Sequence, residues 1–191
     1  MANNEQDLTA MQSTENRSAL LADLALIAFL IALDVTARLL PHAWGFMPVA
    51  ASALFAGRML RNPVLAPVVP LAAMALSGLA LSGDDWRVSL ITYVAITLPA
   101  FAGMATRQWR GVPGTAGTML GCSVAFFALS NFAVWLFSGM YSLDLAGLTR
   151  CYVLALPFFQ HTVAGDLFWT AVLFGGAWMV QRTPLLARRN G

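Results

Sequence analysis

The chain has 191 residues, of which 59% are hydrophobic and 10% charged, and its mean hydropathy is +0.69. A soluble domain of this length would need far more charge to cover its surface, so the composition indicates an integral membrane protein. All 11 basic residues are arginine, and the formal net charge is +2. The lack of lysine excludes a Walker A loop and a Schiff-base enzyme, so this chain alone should not hydrolyse ATP.

The opening segment, residues 1–18, is polar and on balance acidic. It lacks the basic start of a secretory signal peptide, and no small-residue cleavage site follows the first apolar run. We therefore expect a retained cytoplasmic polar tail at 1–18, a membrane domain at 19–181 and a basic cytoplasmic tail at 182–191.

Six apolar stretches predict an all-α integral membrane protein with six transmembrane helices. A bilayer core of about 30 Å needs about 20 residues, so the second stretch should be a short or tilted span. Pro67 and Pro70 should bend the third stretch near its start. The region 145–181 is too long for one crossing, and we divide it at Pro157 into a short surface helix, 145–156, and a sixth span. The predicted spans are 19–40, 46–60, 63–83, 88–106, 115–138 and 158–181.

The arginines predict the orientation of these spans. With the amino terminus inside, eight arginines fall on the cytoplasmic side and three outside, which satisfies the positive-inside rule. An even number of spans places both termini on the same side. We therefore predict a multi-pass protein with both termini cytoplasmic and residues 83–87 outside.

Polar side chains from five predicted helices fall in the outer half of the membrane; they are Asp34, Ser77, Tyr93, Asn131 and Asp166. Scattered structural hydrogen bonds would have no reason to share a depth, whereas a pocket open to the outside would. Asp166 is the most informative, since no basic residue lies at helical spacing from it. The predicted ligand contacts are Asp34, His42, Tyr93, Asn131, Arg150, Gln160, His161 and Asp166.

Each of these residues also has a structural alternative. Asp34 lies four residues before Arg38, so the two could neutralise each other on one helix face. Asn131 could bond a neighbouring helix, His161 could be wetted by lipid headgroups, and Asp166 could be a buried, hydrogen-bonded carboxyl. Because His161 and Asp166 are about 140° apart around a helix, they should not face the same point.

Small residues predict close helix contacts. Ala28, Ala32 and Thr36 recur every four residues in the first span, and Gly117 and Gly121 form a GxxxG motif in the fifth. Such faces serve either packing within one chain or docking of a partner.

Motifs of enzymes and metal sites are lacking. Cys122 and Cys151 form no CxxC or zinc pattern, and the chain has no HExxH or GxSxG motif. We therefore predict no catalytic residue, no metal and no cofactor. An intramembrane enzyme that uses His161 with Asp34 or Asp166 for proton transfer is the least favoured hypothesis.

The stretches "PHAWGFMPVAASALFAGRML" (41–60) and "SNFAVWLFSGMYSLDLAGLTRCYVLALPFF" (130–159) resemble a family of uncharacterised bacterial membrane proteins classed with transporters. That family is similar to the S components, the substrate-binding subunits, of ECF-type vitamin transporters. The resemblance covers about residues 35–176. It implies six helices in the bacterial inner membrane and a ligand site near the outer face. It also implies docking on a coupling protein with two ATPases through Ala28 and Ala32.

These observations predict a substrate-binding membrane subunit for uptake of a vitamin-like micronutrient, energised by a separate module, and not an enzyme. The expected partners are the small-molecule micronutrient, an ECF coupling protein with its ATPases, and the lipid bilayer; no nucleic acid is expected. A stand-alone secondary transporter with Asp34 or Asp166 as its proton site is the main alternative. A structural or assembly subunit is a further one.

Overall fold

The structure is a computed structural model that describes residues 2–40, 46–79, 85–109 and 111–182. These residues form six α-helices and one short 3-10 turn, Pro63–Leu65, and they contain no strand. The helices are α1 (Ala2–Leu39), α2 (Val49–Met59), α3 (Val68–Gly78), α4 (Trp86–Ala105), α5 (Val112–Phe137) and α6 (Leu145–Arg182).

Four helices, α1, α4, α5 and α6, are long and apolar enough to cross a membrane. The remaining two, α2 and α3, have 11 residues each and extend about 16 Å, or roughly half of a bilayer core. All six predicted stretches are therefore helical, but six full-length crossings are not supported.

The position of α2 in the bundle explains why it is short. Residues 49–57 of this helix are all buried, and α2 contacts α1, α3, α4, α5 and α6. A helix enclosed by protein need not match the thickness of the bilayer, because neighbouring helices cover its apolar surface. The second predicted span is thus a core helix of the bundle, not a tilted span against lipid.

Two glycines allow α2 and α4 to cross at close range. A Cβ atom added to Gly103 would lie 2.5 Å from the carbonyl oxygen of Leu54, and one added to Gly57 would lie closer still to that of Ala100. Side-chain carbon atoms essentially never approach backbone oxygens this closely. The close crossing of α2 and α4 therefore requires glycine at both positions.

The carboxyl-terminal helix corrects the prediction of a separate surface helix. α6 is a single helix of 38 residues that continues through Pro157. Proline removes one backbone donor, but contacts on both sides of it hold the helix against α5. The hydroxyl of Tyr152 donates to a carbonyl of α5 at 2.6 Å, and the rings of Phe159 and Phe127 lie 4.5 Å apart.

The polar amino-terminal segment is part of α1. Residues 2–18, expected as a polar tail, are helical and form the first turns of α1. Extension of a formed helix through residues such as Ala, Glu and Gln needs no further nucleation. Most of the predicted basic tail, residues 183–191, lies outside the described residues.

The predicted orientation can be tested at the two ends of α5. Gln108 and Met140 are exposed residues that lie before and after this helix. In a background without native cysteines, we expect an impermeant maleimide to label Met140→Cys in intact cells. Gln108→Cys should be labelled only after permeabilisation, because the positive-inside rule predicts that the arginine-rich end faces the cytoplasm. Labelling of position 108 from outside would reverse the orientation.

Candidate functional site

A cavity of about 160 Å³ lies between the helices, and every one of the six α-helices contributes to its wall. Its polar lining residues are Arg38 of α1, Thr92 of α4, Ser123 of α5, and Thr162 and Asp166 of α6. The apolar wall includes Met47, Met74, Ile96 and Phe126. A cavity of about 150 Å³ holds a benzene ring, whereas pockets for drug-sized ligands start at about 300 Å³. The space therefore suits a molecule of single-ring size.

Asp166 supplies the carboxyl group of this cavity. Its side chain is only 4% exposed, and its Oδ2 lies 2.6 Å from the hydroxyl of Ser123. The same hydroxyl lies 3.0 Å from the carbonyl oxygen of Met119 one turn earlier. Since serine has one proton to donate, the shorter contact favours Asp166 as its acceptor. One carboxyl oxygen is thus held by α5, and the group faces the cavity.

Arg38 supplies a cationic group that was not predicted as a ligand contact. Its Nε donates to the hydroxyl of Ser77 at 2.6 Å, and its Nη1 lies 3.7 Å from the sulfur of Met47. Ser77 in turn donates to the carbonyl of Ala73 at 2.7 Å, which leaves its oxygen to accept from Arg38. Both hydrogen-bond partners of the guanidinium are neutral, so its remaining N–H groups can donate to an anionic group in the cavity.

Asp34 is fully buried but does not line this cavity. Its Oδ1 accepts a hydrogen bond from Ser52 at 2.8 Å, and its Oδ2 is buried without a partner. The hydrogen bonds of Arg38 go to Ser77 and Met47 instead. Asp34 and Arg38 therefore do not form the hydrogen-bonded pair that their spacing allows, and Asp34 joins α1 to α2.

The other predicted contacts that the structure describes do not line the cavity. Tyr93 is half-buried, and its hydroxyl lies 3.4 Å from the carbonyl oxygen of Met74. The amide of Asn131 donates to the carbonyl of Phe127 in its own helix at 2.8 Å, not to a neighbouring helix. Three further candidates are exposed on the surface, namely Arg150, Gln160 and His161. His42 lies outside the described residues.

The geometry of α6 explains why Asp166 lines the cavity and His161 does not. Thr162 and Asp166 are four residues apart and line the cavity together. His161 is offset from Asp166 by about 140°, and an unbroken helix keeps this offset. The expectation that the two would not face the same point agrees with their positions.

Loop carboxylates cap helices near the predicted outer side. Asp144 accepts from the backbone N–H of Gly147 at 2.7 Å and from the hydroxyl of Ser142 at 2.9 Å. These two hydrogen bonds, the backbone one above all, lower the pKa of Asp144 below its ordinary value. Asp85 accepts from the N–H of Arg87 at 2.8 Å at the start of α4. Both carboxylates therefore stabilise helix N-termini.

The two predicted small-residue faces point away from the bundle. Ala28, Ala32 and Thr36 are exposed along α1. Gly117 and Gly121 are exposed along α5, and an added Cβ would meet nothing within 4 Å at either position. Neither face packs against another described helix, so the internal-packing alternative does not hold for them.

Nothing in the described ranges is arranged as a metal centre. These residues contain no group of three or more His, Cys, Asp and Glu side chains that could hold a metal ion. Cys122 and Cys151 are both buried free thiols. Cys122 lines the cavity, and Cys151 lies 3.5 Å from the carbonyl oxygen of Asn131.

Comparison with known proteins gives one family match. The model of a family of unknown function, DUF6580, matches residues 18–187. No curated protein and no solved structure matches the chain. The matched range contains every residue that lines the cavity, the helices α2 to α6, and α1 from residue 18 onward.

Proposed function

Since this chain belongs to DUF6580, a family of unknown function, we propose from its central cavity that it is the substrate-binding subunit of an uptake system for a vitamin-like micronutrient of single-ring size. The proposal rests on a cavity that all six helices line, with Arg38 and Asp166 on its wall. Ionisable groups within membrane helices are costly, and they usually mark a ligand or ion site.

The lining of the cavity defines the chemistry of the ligand. Met47, Met74 and Phe126 suit an apolar, planar body, because thioethers adapt to irregular shapes and an aromatic ring can stack. Asp166 accepts hydrogen bonds from an N–H group or a cation, and Arg38 donates to an anion or a carbonyl. The expected ligand is therefore a small ring that carries a donor and an acceptor.

We further propose an S-component-like bundle of six helices in the bacterial inner membrane. In this arrangement α1, α4, α5 and α6 cross the bilayer, and the short helices α2 and α3 lie within it among them. The burial of α2 and the distribution of the arginines support this topology, with both termini cytoplasmic.

Mass spectrometry of molecules that co-purify with the detergent-solubilised protein tests the proposed function. We expect one small molecule of single-ring size, retained at up to one per chain and released on unfolding. Calorimetric titration with the identified compound should then show saturable binding at one site. A protein that retains no such molecule, and binds none from a fractionated cell extract, would contradict the proposal.

An energising partner should dock on the exposed alanines of α1. Ala28→Trp and Ala32→Trp should abolish partner-dependent uptake yet leave ligand retention unchanged, because an indole blocks close helix approach without entering the bundle. Uptake by cells and ligand occupancy of the purified variants measure the two effects. Val153→Trp, at a position 55% exposed on α6, is the control and should leave both unchanged.

Two outcomes would contradict this docking face. Loss of bound ligand in both alanine variants would place the alanines in the fold of the subunit. Normal uptake in both variants would remove α1 as the contact with an energising module.

Stand-alone secondary transport is a second candidate, and one observation favours it. Two buried carboxyls, Asp34 and Asp166, each pair with a single serine on a neighbouring helix, Ser52 and Ser123. Carboxyls in this setting serve as proton sites in pumps and transporters. Uptake into proteoliposomes that contain only this chain, stopped by a proton ionophore, would establish this candidate over the first.

A further inference from the structure

A second cavity, of about 370 Å³, lies at the other end of the bundle, where α2 and α4 finish and α5 begins. Two arginines, Arg58 and Arg107, and two tryptophans, Trp109 and Trp178, line it. No acidic side chain of the described chain contributes to its wall. This combination of charge and aromatic rings is unrelated to the central cavity and is not used by the proposed function.

Neutral acceptors hold the guanidinium of Arg58. Its Nη1 donates to the hydroxyl of Thr115 at 2.6 Å, and its Nη2 donates to those of Thr106 at 2.8 Å and Thr118 at 3.3 Å. Each of these hydroxyls also lies within 2.6 to 2.9 Å of the carbonyl four residues earlier in its chain. The threonines thus donate to backbone and accept from Arg58, so the described hydrogen bonds of this guanidinium all go to neutral hydroxyls.

Arg107 lies beside Arg58 and is also held by neutral groups. Its Nε lies 3.3 Å from the carbonyl oxygen of Arg58, and its Nη2 donates to that of Leu60 at 2.5 Å. The buried carboxylate at this end, Asp23, accepts instead from the backbone N–H groups of Arg61 and Asn62 at 3.0 and 2.9 Å. Within the described residues, therefore, no hydrogen-bonded carboxylate offsets the positive charge of these two guanidiniums.

The aromatic residues place this cavity at a membrane surface. Trp109 and Trp178 are 57% and 54% exposed, and the guanidinium of Arg182 lies 4.0 Å from the ring centroid of Trp178. Exposed tryptophans beside arginines are typical of the level of the lipid headgroups. Gly111, which directly precedes the positive end of α5, also lines the cavity, and this position favours an anion.

We propose that this cavity binds the phosphate group of an anionic molecule through Arg58 and Arg107, the molecule being either a membrane phospholipid or a free phosphate compound. Guanidinium groups bind phosphate oxygens through paired charge-assisted hydrogen bonds. Basic pockets between membrane helices on the cytoplasmic side bind phospholipid headgroups in the same way. The anion would offset the charges of two guanidiniums whose described hydrogen bonds all go to neutral groups.

Three probes separate the sources of the phosphate group. We would titrate the purified full chain in detergent with dihexanoyl phosphatidylglycerol, with dihexanoylglycerol, and with inorganic phosphate, and measure binding by native mass spectrometry and tryptophan fluorescence. The proposal expects saturable binding of the phosphatidylglycerol and none of the dihexanoylglycerol, which has the same chains without phosphate. Displacement by millimolar inorganic phosphate would identify a free phosphate compound as the ligand, and no displacement would identify the lipid.

The matched variants are Arg107→Gln and Arg87→Gln. Arg107 is exposed, so glutamine can take its place, and the loss of one positive charge should weaken phosphatidylglycerol binding about fivefold. Arg87 is an exposed arginine at the opposite end of α4, and its replacement should change nothing. Unchanged affinity in Arg107→Gln, equal binding of dihexanoylglycerol, or no binding of any probe would overturn the proposal.

Discussion

The variant Asp166→Asn is expected to retain its fold but to lose about 10- to 150-fold in affinity for the co-purified ligand. The amide keeps the size and hydrogen-bonding capacity of the side chain and removes its charge. A hydrogen bond to a charged group contributes about 1.5–3 kcal/mol, which corresponds to that range of affinity. Calorimetric titration with the ligand identified by mass spectrometry measures the affinity, and thermal unfolding measures the stability.

Asp34→Asn is the matched control for this variant. Asp34 is a buried carboxyl with one serine partner, as Asp166 is, but it does not line the cavity. Its replacement should leave the affinity of the folded protein unchanged, whatever it does to stability. Equal affinities in Asp166→Asn and the native protein would place the ligand elsewhere, and a loss confined to Asp34→Asn would move the site to the interface of α1 and α2.

Replacement of either glycine at the crossing of α2 and α4 is expected to destabilise the fold severely. In Gly57→Ala or Gly103→Ala the new methyl group meets a backbone carbonyl, which cannot move aside as a flexible side chain can. Overpacking of this kind costs about 1–3 kcal/mol, and more where the backbone must separate. The melting temperature in detergent should fall by several degrees, and the yield of folded protein should fall with it.

Gly117→Ala provides the control for these two substitutions. Gly117 also lies inside a helix, but an added Cβ meets nothing within 4 Å. Alanine should be neutral or slightly stabilising there, because its helix propensity exceeds that of glycine by about 1 kcal/mol. Equal melting temperatures of all three variants would show that α2 and α4 do not approach each other this closely.

Local sequence signals predicted the long helices well. The predicted spans 88–106 and 115–138 differ from α4 and α5 by only one to three residues at each end. Their bounds follow from the length of each apolar run and from the turn-forming residues between them, both of which are local. The break predicted at Pro157 was wrong, because the contacts of Tyr152 and Phe159 with α5 are tertiary and leave no mark in the sequence of α6.

Hydropathy could not reveal the role of α2, since a helix buried in protein and one surrounded by lipid have similar apolar compositions.

Local sequence signals also predicted only part of the cavity lining. Asp166 stood out because no basic residue lies at helical spacing from it, and the structure places it on the cavity wall. Arg38 was missed because its spacing from Asp34 predicted a pair within one helix. Its hydrogen-bond partner, Ser77, lies on another helix. Ser123 carried no signal of its own.

The central position of α2 has a consequence for how the protein is made. Synthesis proceeds from the amino terminus, so α2 leaves the ribosome before α4, α5 and α6, which cover most of it. With 11 residues it is too short to cross a bilayer unaided, so it cannot settle as an independently inserted segment. We expect α2 to pack into the bundle only after α4 has been made, because Gly57 of α2 and Gly103 of α4 form the contact between these helices. We therefore expect the burial of α2 to be completed only after α4, α5 and α6 have been made.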